Sequence, residues 1–243
     1  MKRPKMILFD YGQTLINELC YDGVKGYSEM LKYAVSNPDN VTGAQLQSDV
    51  EKLNSDLGRF DPATRHKRLQ ELPEREINQY IFAKRRVEFD RDLREYEPLF
   101  WDAASPCEPC HGIAEFLEYL RGEGIRTGVI SNLSFCSKTL RQRLEAHIPG
   151  AHFDFVIASS DYVFRKPSPH IFEVALAKAG MKAEDVWFCG DQFKADIDGA
   201  MAAGLTPVWY KEYLRYDSEC ELTEGFEINN WGELRDILET AEK

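Results

Sequence analysis

Acidic, basic and hydroxyl side chains follow several short apolar runs of this sequence, at the points where the runs end. Carboxylate oxygens are hard ligands that suit Mg²⁺, and a lysine beside them can hold an anionic group. The residues that follow parallel strands meet at one edge of an open α/β sheet, which is where reactive sites lie in such sheets. We therefore treat these residues as one candidate site. Its members are Asp10 and Thr14, Ser131 and Asn132, Lys166, and Asp191 with Asp196.

Five short apolar runs are expected to form the strands that carry these residues. Continuous apolar runs of this length are typical of strands buried on both faces of a parallel sheet. Amphipathic segments separate the later runs, and one of them has Pro169 in its first turn and Gly180 at its end, as helices often do. This alternation predicts an α/β fold with a doubly wound, Rossmann-like parallel sheet. The strands are expected at Met6–Phe9, Thr127–Ser131, Phe153–Ile157, Val186–Cys189 and Pro207–Tyr210, and the helices at Gly112–Glu123, Cys136–His147, Pro169–Ala179 and Lys194–Ala203.

The stretch from about residue 17 to residue 105 has a different pattern, because it contains helical periodicity and no strand-like run. Thr42, and Asp61 or Pro73, are suitable helix start signals there. We predict a core domain formed by residues 1–16 and 106–243, with a helical cap domain, residues 17–105, inserted after the first strand. The helical segments of the cap are expected at Val24–Val35, Thr42–Leu57, Pro73–Phe89 and roughly Arg94–Ala103.

Composition and charge restrict the function. The chain has 243 residues and a formal net charge of −11, which argues against binding to nucleic acid or to anionic membranes. No apolar run approaches the roughly 20 residues of a membrane span. Six cysteines without a secretory signal favour reduced thiols and a cytoplasmic location, and the isolated pair Cys107 and Cys110 lacks the second pair that a zinc site needs. We expect a monomer or homodimer that acts on a small molecule.

The order and spacing of the motifs resemble those of the haloacid dehalogenase-like hydrolase superfamily. That family has an aspartate loop after its first strand, a serine or threonine after its second, then a lysine, and an acidic pair after its fourth. The resemblance covers the whole chain, including the inserted helical segment. The matching residues are Asp10 with Thr14, Ser131-Asn132, Lys166 in Arg-Lys-Pro-Ser-Pro, and Gly190-Asp191 with Asp196.

The resemblance implies a Mg²⁺-dependent hydrolase that passes through an aspartyl-phosphate. A carboxylate that attacks a phosphate is repelled by roughly 1 to 4 kcal/mol at a few ångströms, and a bound divalent cation removes that barrier. The family pattern makes Asp10 both nucleophile and metal ligand. In this pattern, Asp191 and the backbone carbonyl of Gly12 complete the metal site. Ser131, Asn132 and Lys166 bind the phosphoryl group. Asp196 orients Lys166 or a metal-bound water.

The sequence departs from the family pattern at Gly12. Phosphatases of the family carry there a second aspartate, which serves as general acid and base and is worth about 10²–10⁴ in rate. Gln13 replaces the glycine that usually follows, while Thr14 keeps the register. We expect a phosphatase for a small phosphorylated metabolite, in which another group or water handles the proton.

Two alternatives to this phosphatase stay open. One is a metabolite-binding or regulatory protein with low turnover. The other is a phosphonatase or dehalogenase, since those branches also lack the second aspartate. A phosphonatase needs a Schiff-base lysine from the cap, for which Lys25 or Lys32 are weak candidates. Dehalogenases need no metal, whereas Asp191 and Asp196 have the pattern of a metal site.

Overall fold

A computed structural model of the protein describes residues 2–59, 69–215 and 219–241. Its strands are β1 (Met6–Phe9), β2 (Ile16–Glu18), β3 (Cys107–Pro109), β4 (Arg126–Ser131), β5 (Val156–Ala158), β6 (Val186–Gly190), β7 (Thr206–Tyr210) and β8 (Phe226–Ile228). Six of them form one sheet in the order β5-β4-β1-β6-β7-β8, and every neighbouring pair is parallel. The chain builds outward from β1 first on one side and then on the other, so the predicted doubly wound α/β fold is confirmed.

Helices cover both faces of this sheet and fill the stretch before β3. They are α1 (Gly23–Leu31), α2 (Gly43–Asp56), α3 (Glu74–Arg85), α4 (Glu97–Ala104), α5 (Ile113–Gly122), α6 (Ser137–His147), α7 (Pro169–Ala179), α8 (Asp198–Ala202) and α9 (Trp231–Thr240). Two predicted start signals can be checked. Thr42 caps α2 in a capping box with Gln45, and α3 begins directly after Pro73. Asp61 lies outside the described residues.

Strand β1 is apolar throughout because it is buried on both faces of the sheet. All four of its side chains are fully buried. Because side chains alternate along a strand, Ile7 and Phe9 join the apolar cluster on one side of the sheet, while Met6 and Leu8 join the cluster on the other. This arrangement fixes the central strand between two helical layers, and it delivers Asp10 to the edge where the strand ends.

Residues 17–105 contain α1 to α4, and α1 packs against both α2 and α4. Strands β2 and β3 pair antiparallel, with Ile16 opposite Pro109 and Glu18 opposite Cys107. The chain therefore enters and leaves the helical stretch through two segments that lie side by side. In the described part of the chain, no helix is long and apolar enough to cross a membrane.

The structure differs from the sequence prediction in several places, and strands β2 and β3 are among the elements that were not predicted. The segment expected as one helix from Lys194 begins as a π-helical turn, Phe193–Ile197, and continues as α8. Strand β5 starts at Val156 rather than at Phe153. Strand β8 and helix α9 were not predicted, although α9 has an apolar stripe at Trp231, Leu234 and Leu238, and Trp231 stacks on Tyr210 with ring centroids 4.3 Å apart.

Candidate active site

Three buried carboxylates meet at the ends of the two central strands. Asp10 follows β1 and Asp191 follows β6, which is the neighbour of β1 in the sheet. Asp10, Asp191 and Asp196 each place a carboxylate oxygen within 4.8 Å of the others. The parallel sheet therefore brings together Asp10 and Asp191, which are 181 positions apart in the sequence.

The glycine before Asp191 makes room for the third carboxylate. A Cβ at Gly190 would lie 2.4 Å from the carboxyl carbon of Asp196, so any larger residue would displace that side chain. Asp196 is almost completely buried, and its Oδ2 accepts a hydrogen bond from the backbone N–H of Gln192 at 3.0 Å. The sequence Gly190-Asp191 therefore lets both acidic residues share one corner of the site.

Lys166 is the cation of this cluster. Its Nζ lies 2.6 Å from Asp10 Oδ1 and 2.6 Å from Asp196 Oδ1, and only 3% of the residue is exposed. Burial alone would lower the pKa of Lys166, but the carboxylates of Asp10 and Asp196 outweigh it and raise that pKa. The lysine therefore keeps its charge at neutral pH, beside the oxygen atoms of both partners.

Asp191 has no such partner. No lysine or arginine in the described ranges lies within ion-pair distance of it, and its buried Oδ1 makes no hydrogen bond. Burial, followed by the charges of Asp196 and Asp10, raises the pKa of Asp191 well above its ordinary value. A buried carboxylate oxygen of this kind is costly unless a cation neutralises it. A hard cation such as Mg²⁺ fits this set of oxygen donors.

Two of the predicted phosphate-binding residues, Ser131 and Asn132, lie at the end of β4 and at the start of the loop that follows it. Ser131 is buried at the end of that strand. The amide of Asn132 makes two hydrogen bonds with the lysine loop: its Nδ2 donates to Lys166 O at 2.8 Å, and its Oδ1 accepts from Lys166 N at 2.7 Å. Asn132 thus holds the backbone of Lys166 in place. The contact of Ser131 and Asn132 with substrate remains a prediction.

Gly12 leaves open space where the family places its second aspartate. A Cβ at Gly12 would meet no atom within 4 Å, and its φ lies outside the left-handed region. The next residue, Gln13, has a φ of 58° and a buried Oε1 without a hydrogen-bond partner. The absence of the carboxylate is therefore not imposed by crowding or by the backbone conformation at position 12.

Three buried glutamates that the sequence analysis missed join the helical stretch to loops of the sheet domain. Glu74 Oε2 accepts from Ser134 Oγ at 3.0 Å, Glu97 Oε2 accepts from Cys136 N at 2.9 Å, and Glu71 Oε2 accepts from Ser159 Oγ at 2.8 Å. Burial raises the pKa values of Glu74 and Glu97. No sequence signal separates them from solvated helix carboxylates, because their partners lie 39 to 88 residues away.

A cavity of about 720 Å³ lies beside the reactive loops. Its walls come from α2, from Trp101 of α4, from Glu18 and from the segment Leu133, Ser134 and Phe135, which directly follows Asn132. The volume falls in the range of small-molecule pockets. The cavity therefore has room for a ligand of metabolite size, and its wall meets the candidate site through the segment that follows Asn132.

Comparison with known proteins identifies relatives of this chain. The family model described as haloacid dehalogenase-like hydrolase matches residues 51–210. A glyceraldehyde 3-phosphate phosphatase of Pyrococcus furiosus is 31% identical over 133 residues, which are 53% of this chain and 53% of that protein. The chain thus aligns with about half the length of this relative.

Solved structures share the fold over nearly all of the chain. A 2-haloacid dehalogenase from Pseudomonas syringae pv. Tomato matches with a TM-score of 0.65 and 20% identity, covering 98% of this chain and 99% of that one. A HAD phosphatase from Thermococcus onnurineus matches with a TM-score of 0.62 and 21% identity, covering 100% of both chains. At this level of identity the likeness describes the fold and leaves the reaction open.

Proposed function

The chain belongs to the haloacid dehalogenase-like hydrolase family, and from this premise we propose that it is a Mg²⁺-dependent phosphatase of a small phosphorylated metabolite. The observation that carries the proposal is the buried cluster of Asp10, Asp191 and Asp196 around a single lysine. Three carboxylates and one ammonium leave an excess of negative charge. A divalent cation offsets this excess, and an anionic substrate then becomes acceptable to the site.

In the proposed reaction, a carboxylate oxygen of Asp10 attacks phosphorus and the ester P–O bond breaks. Lys166 holds Asp10 Oδ1 at 2.6 Å, which leaves Oδ2 for the attack. The third N–H of the Lys166 ammonium and the hydroxyl of Ser131 bind phosphoryl oxygens as negative charge develops on them. Water then attacks the phosphorus of the aspartyl-phosphate, releases inorganic phosphate and restores the carboxylate of Asp10.

The metal would be held by Asp10, Asp191 and the backbone carbonyl of Gly12. When bound, Mg²⁺ supplies the positive charge that lets a carboxylate approach a phosphate. Asp196 keeps Lys166 oriented from the opposite side of the cluster. Because position 12 carries no carboxylate, the leaving alkoxide takes its proton from water or from another group. Esters with good leaving groups are therefore the preferred substrates.

The alternatives have less support. A phosphonatase needs a desolvated amine for its Schiff base. Lys25 and Lys32 pair with Asp22 and Glu29 on the surface of α1, and their side chains are 70% and 65% exposed. A dehalogenase of this family needs no metal, and the unpaired Asp191 would then be a cost without a purpose. A binding protein with little turnover is consistent with Gly12, although Asp10 and Lys166 would have no catalytic use in it.

We further propose that residues 17–105 act as a cap over the site. The cavity between α2, α4 and the loop after Asn132 would take the alcohol part of the substrate, and its closure would exclude water. Aromatic and aliphatic side chains, including Trp101, Phe135 and Val50, form much of its wall. A small organic phosphate matches a cavity of this volume better than a phosphorylated protein does.

A screen of phosphorylated metabolites with Mg²⁺, scored by release of inorganic phosphate, tests the function. Asp10→Asn, which keeps the size of the side chain, is the matched control for each positive compound. We expect turnover of a small set of esters by the wild type, and none by the variant or in excess chelator. Binding of several compounds without phosphate release would favour the binding protein instead.

A further inference from the structure

The residue after the proposed nucleophile is tied to two distant segments. Tyr11 is buried, and its hydroxyl accepts a hydrogen bond from Arg143 Nε at 2.8 Å and donates one to Glu18 Oε1 at 3.2 Å. Its ring lies 5.2 Å from that of Trp101, centroid to centroid. Since Tyr11 is bonded covalently to Asp10, whatever moves its side chain also moves the nucleophile loop.

Arg143 reaches three segments with three different nitrogen atoms. It lies on α6 and is 5% exposed. Besides the bond from Nε to Tyr11, Nη1 donates to Asp102 Oδ1 at 2.5 Å, and Nη2 donates to the backbone carbonyl of Ser105. Its guanidinium carbon lies 4.6 Å from the ring centroid of Trp101. Only the planar fork of an arginine can serve these directions together.

The hydrogen-bonded group around Arg143 also includes residues at both points where the chain passes between the sheet and the helical stretch. Glu18 lies on β2, through which the chain enters the helical stretch, and its Oε1 also accepts from Trp101 Nε1 at 2.9 Å. Ser105 lies between α4 and β3, where the chain returns. We call this group the Arg143 cluster. It comprises Tyr11, Glu18, Trp101, Asp102, Ser105 and Arg143.

We propose that Arg143 is a positioning residue that couples the placement of helices α1 to α4 to the alignment of Asp10. The proposal rests on the phosphatase function given above. Any rotation of these helices about β2 and β3 must either break the bonds of Arg143 to Asp102 and Ser105 or pull on Tyr11. In-line attack depends on atomic placement, and a misplacement of about 1 Å can cost about 100-fold in rate. The movement of α1 to α4 that closes the cavity would then also bring the carboxylate of Asp10 into position for attack.

A double-mutant cycle in kcat tests the coupling. Tyr11→Phe removes only the hydroxyl, and Arg143→Met removes the fork while keeping an unbranched apolar side chain. We expect each to lower kcat by about tenfold to 100-fold with a smaller change in KM, and the double variant to be no slower than the slower single variant. Arg143→Lys should not restore the rate, because a single ammonium cannot reach three partners.

The matched control is Arg141→Met, on the same helix. Arg141 donates only to the backbone carbonyl of Phe153 among the described residues, at 3.4 Å, and its loss should leave kcat unchanged. Losses in Tyr11→Phe and Arg143→Met that multiply in the double variant would overturn the coupling. An unchanged kcat in Tyr11→Phe would overturn it as well, even if Arg143→Met fails to fold.

Amide hydrogen exchange separates this inference from the proposed function. Tyr11→Phe should accelerate exchange in α4, which the Tyr11 side chain contacts through Arg143, Glu18 and Trp101, whereas Arg141→Met should not. If the wild type releases no phosphate from any ester, the phosphatase proposal fails while this measurement still reports on the cluster. If acceleration in Tyr11→Phe stays within the nucleophile loop, the coupling is refuted although the enzyme turns over.

Discussion

Replacing Asp191 by asparagine should stabilise the metal-free protein and remove its stabilisation by Mg²⁺. The buried Oδ1 of Asp191 makes no hydrogen bond with any residue that the structure describes, and Asp10 and Asp196 lie beside it. Asparagine fills nearly the same volume without the charge. The folded protein therefore loses a repulsion and little else, provided that no cation is bound.

The magnitude follows from the spacing of the cluster. Two unit charges 4.8 Å apart, the widest separation of the ligand atoms, repel by about 3.5 kcal/mol at an effective dielectric constant of about 20. Lys166 offsets the charges of Asp10 and Asp196 but makes no ion pair with Asp191. Partial protonation and local relaxation reduce the gain, so we expect the free energy of unfolding to rise by about 1 to 3 kcal/mol.

The sign depends on pH. The pKa of the Asp191 carboxyl is higher in the folded state than in the unfolded chain. As the pH rises, the unfolded chain therefore ionises first, and its ionisation lowers the free energy of unfolding. The gain from Asp191→Asn is therefore absent well below the ordinary value of 3.8, grows as pH rises from there, and levels off above the raised pKa of the folded state. The gain should therefore be larger at neutral pH than at pH 4.

Denaturant unfolding and thermal melts in chelator, repeated in Mg²⁺, measure both effects. For a chain of this size, each kcal/mol corresponds to about 2 to 4 °C in Tm. Asp198→Asn is the matched control, because Asp198 is only partly buried and pairs with Lys194 on the surface at 3.1 Å. It should change the free energy of unfolding by less than about 0.5 kcal/mol and keep the response to Mg²⁺.

Two outcomes would refute this reasoning. One is a loss of about 1 kcal/mol or more in the free energy of unfolding of metal-free Asp191→Asn, which is more than surface substitutions usually cause. The carboxylate would then have a structural partner. If Mg²⁺ stabilises the variant as strongly as the wild type, Asp191 is not part of the metal site.

Three further predictions concern the neighbours of this residue. Asp196→Asn should weaken Mg²⁺ binding, measured by calorimetry, less than Asp191→Asn does, because Asp196 is already paired with Lys166; an equal or larger loss would reverse the two assignments. Gly12→Asp should raise turnover on phosphate esters with poor leaving groups more than on good ones, since a Cβ at this position meets no described atom within 4 Å; wild-type rates that are flat across a series graded by leaving-group pKa, with the chemical step limiting, would place the acid elsewhere. Asn132→Ala should lower kcat by at least about tenfold through loss of both bonds to the backbone of Lys166, and an unchanged kcat would show that the lysine loop holds its place without Asn132.

The sequence was sufficient to predict five of the six strands of the main sheet and the cluster at its edge. Asp10 and Asp191 could be placed together because buried strands are short apolar runs, and because parallel strands end at one edge. The family pattern placed Lys166 in the site, whereas its direct pairing with Asp10 was not predicted. Family membership is confirmed, while the roles of the site residues remain predictions.

The Arg143 cluster and the buried glutamates could not be predicted. Arg143 and Tyr11 are separated by 132 residues, and a lone arginine on an amphipathic helix has the same pattern as a solvated one. Glu97 likewise has the local sequence of a first-turn carboxylate and becomes buried only against α6. Such contacts depend on how the helical stretch packs on the sheet domain, which no local periodicity determines.

The most direct test of the central claim is to quench the wild type in acid during turnover and examine its peptides by mass spectrometry. Without a carboxylate at position 12 to activate water, the second step should be slow, so the phosphoenzyme should accumulate. We predict one phosphoryl group on the peptide that contains Asp10, present with Mg²⁺ and absent in chelator and in Asp10→Asn. Phosphate release over many turnovers by Asp10→Asn, or a phosphoryl group on a different peptide of the wild type, would contradict the account.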